Sequence, residues 1–316
     1  MTQWNVAFQR QFWGNWMVSA SYLGNHGAHM WLARDINYAD PTIPGATTGN
    51  TQARRLFNAI NAEEGKYYGP VTIVDDTAES NYNGVVVGLQ KRMGNGWSTN
   101  ANLTLSKCTN YGDVVLDITN LFPDPTDRNT NKGPCGSDRP YIFNWSSIVG
   151  SRGLGSGLLD AVTRDWQLGV ILQMRSGSAL TPEVSSDNSL TGLANQRPLL
   201  TGVDWKLADP CVGALNDNAC HWFDPAAFAP NTVGSWGNVP RGYIRGPAFW
   251  NVDLALSRNI AVGQGRRLEV RVEAFNALNH FAPGNPNVTF GDTSFGRVTS
   301  STGDPRIMQF AVKYGF

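Results

Sequence analysis

Apolar and polar residues alternate along this chain with a period of two, the signature of strands with one apolar and one polar face. Over residues 2–12, Trp4, Val6, Phe8 and Phe12 share one face, and Gln3, Asn5, Ala7, Gln9 and Gln11 the other. From Trp16 the apolar face continues through Val18, Ala20 and Tyr22. Residues 81–93 set Val85, Val87, Leu89 and Met93 against Tyr82, Gly84, Gln90 and Arg92. Residues 97–107 set Trp97, Ala101, Leu103 and Leu105 against Ser98, Asn100, Asn102, Thr104 and Ser106. Further apolar faces are Tyr141/Phe143/Trp145/Val149, Trp166/Leu168/Val170/Leu172/Met174, Trp250/Val252/Leu254/Leu256 and Leu268/Val270/Val272/Ala274. The last is Met308/Phe310/Val312/Tyr314/Phe316, backed by Gln309 and Lys313. The pattern predicts nine strands, each of about the 9–11 residues that cross a bilayer at a tilt.

The connections alternate as well. Trp13-Gly14-Asn15 and Gly94-Asn95-Gly96 are short, and the links over 151–165 and 261–266 are short to moderate. Between them lie long polar stretches at about residues 24–80, 108–140, 177–248 and 280–304. Short turns at one rim and long loops at the other are the arrangement of an outer-membrane barrel. A compact soluble domain favours connections of about 4–6 residues. The predicted fold is therefore all-β, an antiparallel transmembrane barrel fragment. Strands opening at Trp16, Trp97 and Trp166 ascend from the short-turn rim, each beginning with an outward Trp that suggests a periplasmic aromatic girdle. Trp4, Tyr141 and Trp250 open the descending strands. Nine is odd, so the first and last strands descend together, and an open, curved sheet with a polar concave face is expected.

Composition narrows the picture. Of the 316 residues only 16% are charged, against roughly 25% in soluble domains, while Gly reaches 34 and Trp 11. Lys plus Arg and Asp plus Glu are equal at 25 each, which removes the cation surplus that nucleic-acid binding requires. No run approaches about 18 apolar residues, so no membrane helix is predicted, and a membrane protein without one must be a barrel. The segment MTQWNVAFQR at the start lacks the pattern of a signal peptide, which raises the expectation of a fragment of a longer protein.

Candidate chemistry is sparse. Arg92, Gln173, Arg175, Asp253, Arg271, Glu273 and Lys313 lie on polar faces, with Glu269 beside Arg271. They read either as a plug-docking or substrate-path cluster, or as an ordinary salt-bridge network in the lumen wall. The loop aromatics Tyr67, Tyr68, Trp222, Phe223 and Trp236 suit ligand capture or loop packing equally. Cys108/Cys135 and Cys211/Cys220 lie pairwise in two polar segments, and local disulfides are expected. Free loop thiols are the alternative, and zinc lacks the spacing it needs. His26, His29, His221 and His280 read as loop or strand-end histidines rather than metal ligands. The 153–157 glycine run reads as a turn, and the sequon at Asn102 as chance. No nucleophile with a paired base is apparent, so neither an enzyme nor a cofactor is expected.

Several segments, in this order, resemble the C-terminal part of TonB-dependent receptors, specifically the Oar-like branch with a carboxypeptidase-regulatory-like N-terminal domain. They are TQWNVAFQR, ASYLGNHG, NYNGVVVGLQKRMGNGWS, RGPAFWNVDLALSRN, RLEVRVEAFNALNH and the terminal FGRVTSSTGDPRIMQFAVKYGF. The resemblance implies a barrel of about 22 strands around an N-terminal plug. Residues 1–316 would be its C-terminal portion, without plug, TonB box, signal peptide or early strands. It further implies outer-membrane lipid, the plug and a TonB-type energy-coupling protein as partners, and barrel assembly machinery reading the strand that ends at Phe316. Nucleic acid is not an expected partner. The implied function is uptake of a bulky nutrient or chelate. The alternatives are a passive or adhesive surface barrel and a soluble all-β binding module.

Overall fold

The computed structural model describes residues 1–12, 14–113, 123–193, 196–210, 221–263 and 265–316. Nine long strands form one antiparallel meander in which each strand pairs with its neighbours in sequence. They are β1 (Thr2–Phe12), β2 (Trp16–Asp35), β3 (Thr72–Gly94), β4 (Trp97–Asn110) and β5 (Tyr141–Arg152). β6 (Arg164–Arg175), β7 (Phe249–Gly263), β8 (Arg266–Phe275) and β9 (Ile307–Gly315) complete the series. A two-residue strand, Gly133–Pro134, also pairs with the end of β4.

Register turns the alternation into two chemically distinct walls. Phe8, Ala20, Val87, Leu103, Phe143, Met174 and Trp250 stand side by side across β1 to β7. One residue along, the row reads Gln9, Ser19, Gly88, Asn102, Asn144, Gln173 and Asn251. Because side chains alternate across a strand, these rows point to opposite faces. Gln90, Asn100, Ser146, Ile171, Asp253 and Glu273, from six successive strands of the polar face, line one cavity of about 620 Å³. A cavity shared by six neighbouring strands requires that face to be concave. The convex face is apolar and bare: Val6, Phe8, Val87, Leu105, Leu168, Leu256, Phe310 and Val312 are all exposed.

The sheet stays open. The outer edges of β1 and β9 have no partner among the described residues. Both strands descend, as the odd count requires.

Short connections at Gly14–Asn15, Asn95–Gly96 and Gly265 mark one rim, with residues 153–163 as a longer fourth; Trp13 lies outside the described residues. The other rim carries the long connections 36–71, 111–140, 176–248 and 276–306. One sequence expectation needs correcting here. The stretch from 24 to 80 is not all loop, because β2 runs 20 residues to Asp35 and β3 runs 23 from Thr72. At about 3.4 Å per residue this hairpin rises roughly 30 Å beyond what a bilayer needs. Register shifts between Gly27 and Leu32 mark where it leaves the regular ladder, with His29 at φ +56°. Above that point Leu32, Ala78 and Tyr111 bury one another.

The apolar core lies among the loops. Phe223, Ala227, Phe228, Val239, Ile244 and Phe295 form it. Three of the rings meet edge to face, Phe223–Phe295 at 5.0 Å, Phe223–Phe228 at 5.6 Å and Phe228–Phe295 at 5.7 Å. Among the described residues, every buried hydrophobic side chain belongs to the loops or to the raised hairpin.

Candidate functional site

Strand parity decides where the charged candidates fall. Arg92, Gln173, Arg175, Asp253, Arg271, Glu273 and Lys313 all take the concave face through the registers of β3 and β6 to β9. Arg271 pairs with Glu269 at 2.7 Å and Glu273 at 3.3 Å. Lys313 stands opposite Glu269 in the ladder. Arg271 is thus compensated by two carboxylates of its own strand, as in a wall network, while Arg267 and Lys313 share that face. Asp253 serves the wall too. One of its oxygens accepts from Asn251 Nδ2 at 2.7 Å and from the Asn276 backbone N–H at 2.9 Å, fixing the chain as it leaves β8. Gln173 sits between Asn144 and Asn251 in the polar row.

Arg92 and Arg175, like Lys313, form no ion pair among the described residues. Arg175 lies over the Phe249 ring at 4.6 Å, at the loop end of β6. Near it are Arg139 and Arg245, and burial followed by the Arg175 and Arg245 charges holds the Arg139 guanidinium below its ordinary range. Arg245 pairs with the buried Asp138, while Arg139 donates to Ser178 Oγ at 2.9 Å. Three guanidiniums around one carboxylate give the loop end of the lumen a local positive charge.

Above this mouth the four long loops interlock around residues 176–248. Arg54 is buried and donates to Leu190 O at 2.8 Å and Thr47 O at 2.8 Å. Arg197 donates to Thr130 O at 2.6 Å and to Asn131 Oδ1. Burial lowers its pKa to about 10. Arg241 reaches Pro134 O at 2.6 Å and Asn110 Oδ1. Guanidinium donors suit the task because loop backbones leave many carbonyls without ladder partners. Sequence reasoning does not find these arginines, since each reaches at least one partner distant along the chain.

The loop aromatics divide. Tyr67 and Tyr68 are exposed, with Tyr68 edge-on to Phe57 at 6.0 Å. Phe223 requires correction as a binding candidate: it is fully buried at the centre of the loop core and offers a ligand no surface. Trp222 and Trp236 are half-buried, and their indole N–H groups donate to Arg245 O at 2.8 Å and Pro123 O at 3.1 Å, tying loops together.

Cys108 and Cys135 form a disulfide with Cα atoms 5.4 Å apart. Cys211 and Cys220 lie outside the described residues. His26 meets Asn81 Oδ1 at 2.8 Å, and His29 meets Asp76 at 3.0 Å. That carboxylate arrives from the paired strand and was not foreseen. His280 stacks on Trp250 with centroids 3.8 Å apart, and burial lowers its pKa. Among the described residues no group of three or more metal-ligating side chains gathers.

The convex face near the short-turn rim carries polar residues the alternation did not reveal. Trp97 Nε1 donates to Ser147 Oγ at 2.9 Å, and Trp145 Nε1 to Thr99 Oγ1 at 2.8 Å. Trp16 packs edge-on to Trp97 at 5.6 Å, and the Lys91 ammonium lies 4.8 Å from the Trp97 ring. Indoles that cover hydroxyls and cations in this way suit a water–lipid boundary.

The family described as outer membrane beta barrel domain matches residues 1–309. Two solved structures are similar along 98% of this chain. One is the FpvAI–pyocin S2 complex, at 12% identity, TM-score 0.42 and 26% of that chain. The other is the outer membrane transporter YddB from Escherichia coli, at 8% identity, TM-score 0.49 and 32% of that chain. The chain therefore spans about a quarter to a third of the length of these structures. No curated protein matches it.

Proposed function

The chain belongs to the outer membrane beta barrel domain family, and from that membership we propose that it forms the C-terminal wall and the external head of a larger, plugged uptake receptor. Membership places it in the bacterial outer membrane. The observation that carries the further step is that, among the described residues, the outer edges of β1 and β9 have no partner while every pair of neighbouring strands between them is laddered. An open edge in lipid leaves backbone groups unpaired at a cost of several kcal/mol each, which further strands would remove. A barrel of about 22 strands, as the resemblance implies, encloses a lumen too wide for its own side chains to fill. The polar concave face and its 620 Å³ hollow then suit contact with a plug. With the residues that resemble TonB-dependent receptors of the Oar-like branch, this supports energy-coupled uptake of a bulky nutrient or chelate, with a TonB-type protein acting on the plug. In this reading the wall's charges align the plug and catalyse nothing.

A passive surface barrel is the alternative that experiment separates. Receptor purified from the outer membrane and placed in a planar bilayer should pass no steady ion current. Uptake by cells should fail when the energy-coupling protein is deleted. A steady open-pore current, or uptake indifferent to that deletion, would contradict the proposal.

A further inference from the structure

One connection at the short-turn rim is unlike the others. Residues 153–163 link β5 to β6 and contain the helix Leu158–Thr163. Leu154, Leu158, Leu159 and Val162 are exposed to 65%, 82%, 59% and 53%. Among the described residues, the other turns of this rim, at Gly14–Asn15, Asn95–Gly96 and Gly265, carry no apolar side chain, Trp13 lying outside them. Leu158, Leu159 and Val162 share one side of the helix, while Asp160 turns away to pair with Arg164 at 2.6 Å.

The turn is firmly held. Leu154 N–H donates to Thr163 Oγ1 at 2.8 Å, and the Trp166 backbone N–H to Ser151 Oγ at 3.1 Å. Two further bonds fix its position against the barrel. Trp166 Nε1 donates to Val162 O at 2.8 Å, and Arg258 donates to Ala161 O. Trp166 and Arg258 are cross-strand partners, with the guanidinium 5.4 Å from the indole ring. Both lie on the convex face, in the same parity as Leu168 and Leu256. The helix is therefore tied to the lipid side of the wall.

We infer that residues 153–163 form an interfacial anchor whose Leu154, Leu158, Leu159 and Val162 side chains enter the phospholipid of the periplasmic leaflet. Three observations favour lipid over a protein partner. The apolar side continues the lipid-facing wall through Trp166. The turn is stapled by its own bonds and needs no partner to order it. Cations paired with indoles, Lys91 on Trp97 and Arg258 on Trp166, stand at the same rim, where phosphate headgroups lie. The inference rests on the outer-membrane location and not on the uptake proposal.

The test uses the chain in outer-membrane vesicles, bearing a fluorescent bimane at Leu158→Cys or, independently, Val162→Cys. The parent chain without an added cysteine supplies the blank. Labels at both positions should lose fluorescence to lipids with a nitroxide near the head of the acyl chain and resist aqueous iodide. Asn15→Cys, in a neighbouring turn, should show the reverse. Iodide quenching without lipid quenching at Leu158 and Val162 overturns the anchor. Protection from both quenchers also overturns it and assigns the surface to a protein. Leu103→Cys, in the wall itself, must be quenched by nitroxide placed deeper in the chain. Failure at Leu103 would indict the wall's orientation and not the anchor.

Discussion

In the strand wall, Val87, Leu105 and Leu168 keep 42%, 49% and 41% of their surface exposed; in the loop head, Phe223, Ile244 and Val239 keep 0%, 0% and 1%. The two regions use similar residues under opposite rules. The head buries apolar groups against one another, ties its loops with buried arginines, and carries its own core, as a water-soluble domain does. The wall has no such core. Its ladders satisfy the backbone, and its apolar face is complete only when lipid covers it. Each region should therefore fail in its own way when a side chain is changed.

The largest effect is expected at the head's centre. Phe223→Ala should cost about 3–5 kcal/mol as a buried ring is replaced by a cavity. The loss should stay local. Hydrogen exchange should quicken in residues 221–248 and 285–298 while the β4–β6 ladder keeps its protection. Uniform loss across both regions would break the division between them.

In the wall, Val170→Arg should cost about 2–4 kcal/mol, the range for a cation facing lipid near the midplane. Gln173→Arg, three residues on and facing the lumen, should be nearly neutral. Denaturant unfolding from bilayers would compare the two variants. Equal costs would deny that parity separates lipid from water.

This contrast also explains what the sequence made legible. Lipid and lumen impose a strict period of two, so Val87/Leu103 and Asn102/Gln173 could be assigned to faces from spacing alone. The nine strands and the sorting of long and short connections followed. Above the membrane that constraint ends. β2 and β3 continue to Asp35 and from Thr72 without a clean alternation, so spacing alone does not identify these extensions as strand. The head was the least legible part. Phe223, Phe228 and Phe295 have no periodicity, and their contacts join loops distant in sequence, so Phe223 passed for an exposed ligand aromatic. Arg54, Arg197 and Arg241 were missed for the same reason. Thr99 and Ser147 interrupt the apolar face because nearby indoles satisfy them, a relation that crosses strands.

A smaller effect is expected from Arg197→Met. Thr130 O and the buried Val239 O would lose their donor, a cost of about 1–3 kcal/mol. Thermal unfolding followed by near-ultraviolet dichroism of the head tryptophans would show it, with the wall unchanged. A null result would remove the arginine ties from the account of the head.

The smallest effect concerns pH at the junction of head and wall. Burial lowers the His280 pKa against Trp250. The unfolded chain therefore takes up the proton first as pH falls. The stack's contribution is complete above the ordinary histidine value of 6.5 and declines as pH drops from there toward the folded value. The protection of residues 276–306, taken relative to the intrinsic exchange rate at each pH, should decline as pH falls below 6.5. His280→Phe should keep the stack and abolish the dependence. An unchanged pH response in that variant would place the titrating group elsewhere.

The central claim is that one residue step along a strand crosses from lipid to water. Spin labels at Leu103→Cys and Asn102→Cys in β4, and at Phe143→Cys and Asn144→Cys in its partner β5, test it directly in membrane-embedded protein. Power saturation should find Leu103 and Phe143 accessible to oxygen and shielded from a water-soluble nickel chelate, with Asn102 and Asn144 reversed. Matching accessibility at adjacent positions, or apolar residues open to the chelate, would contradict the account.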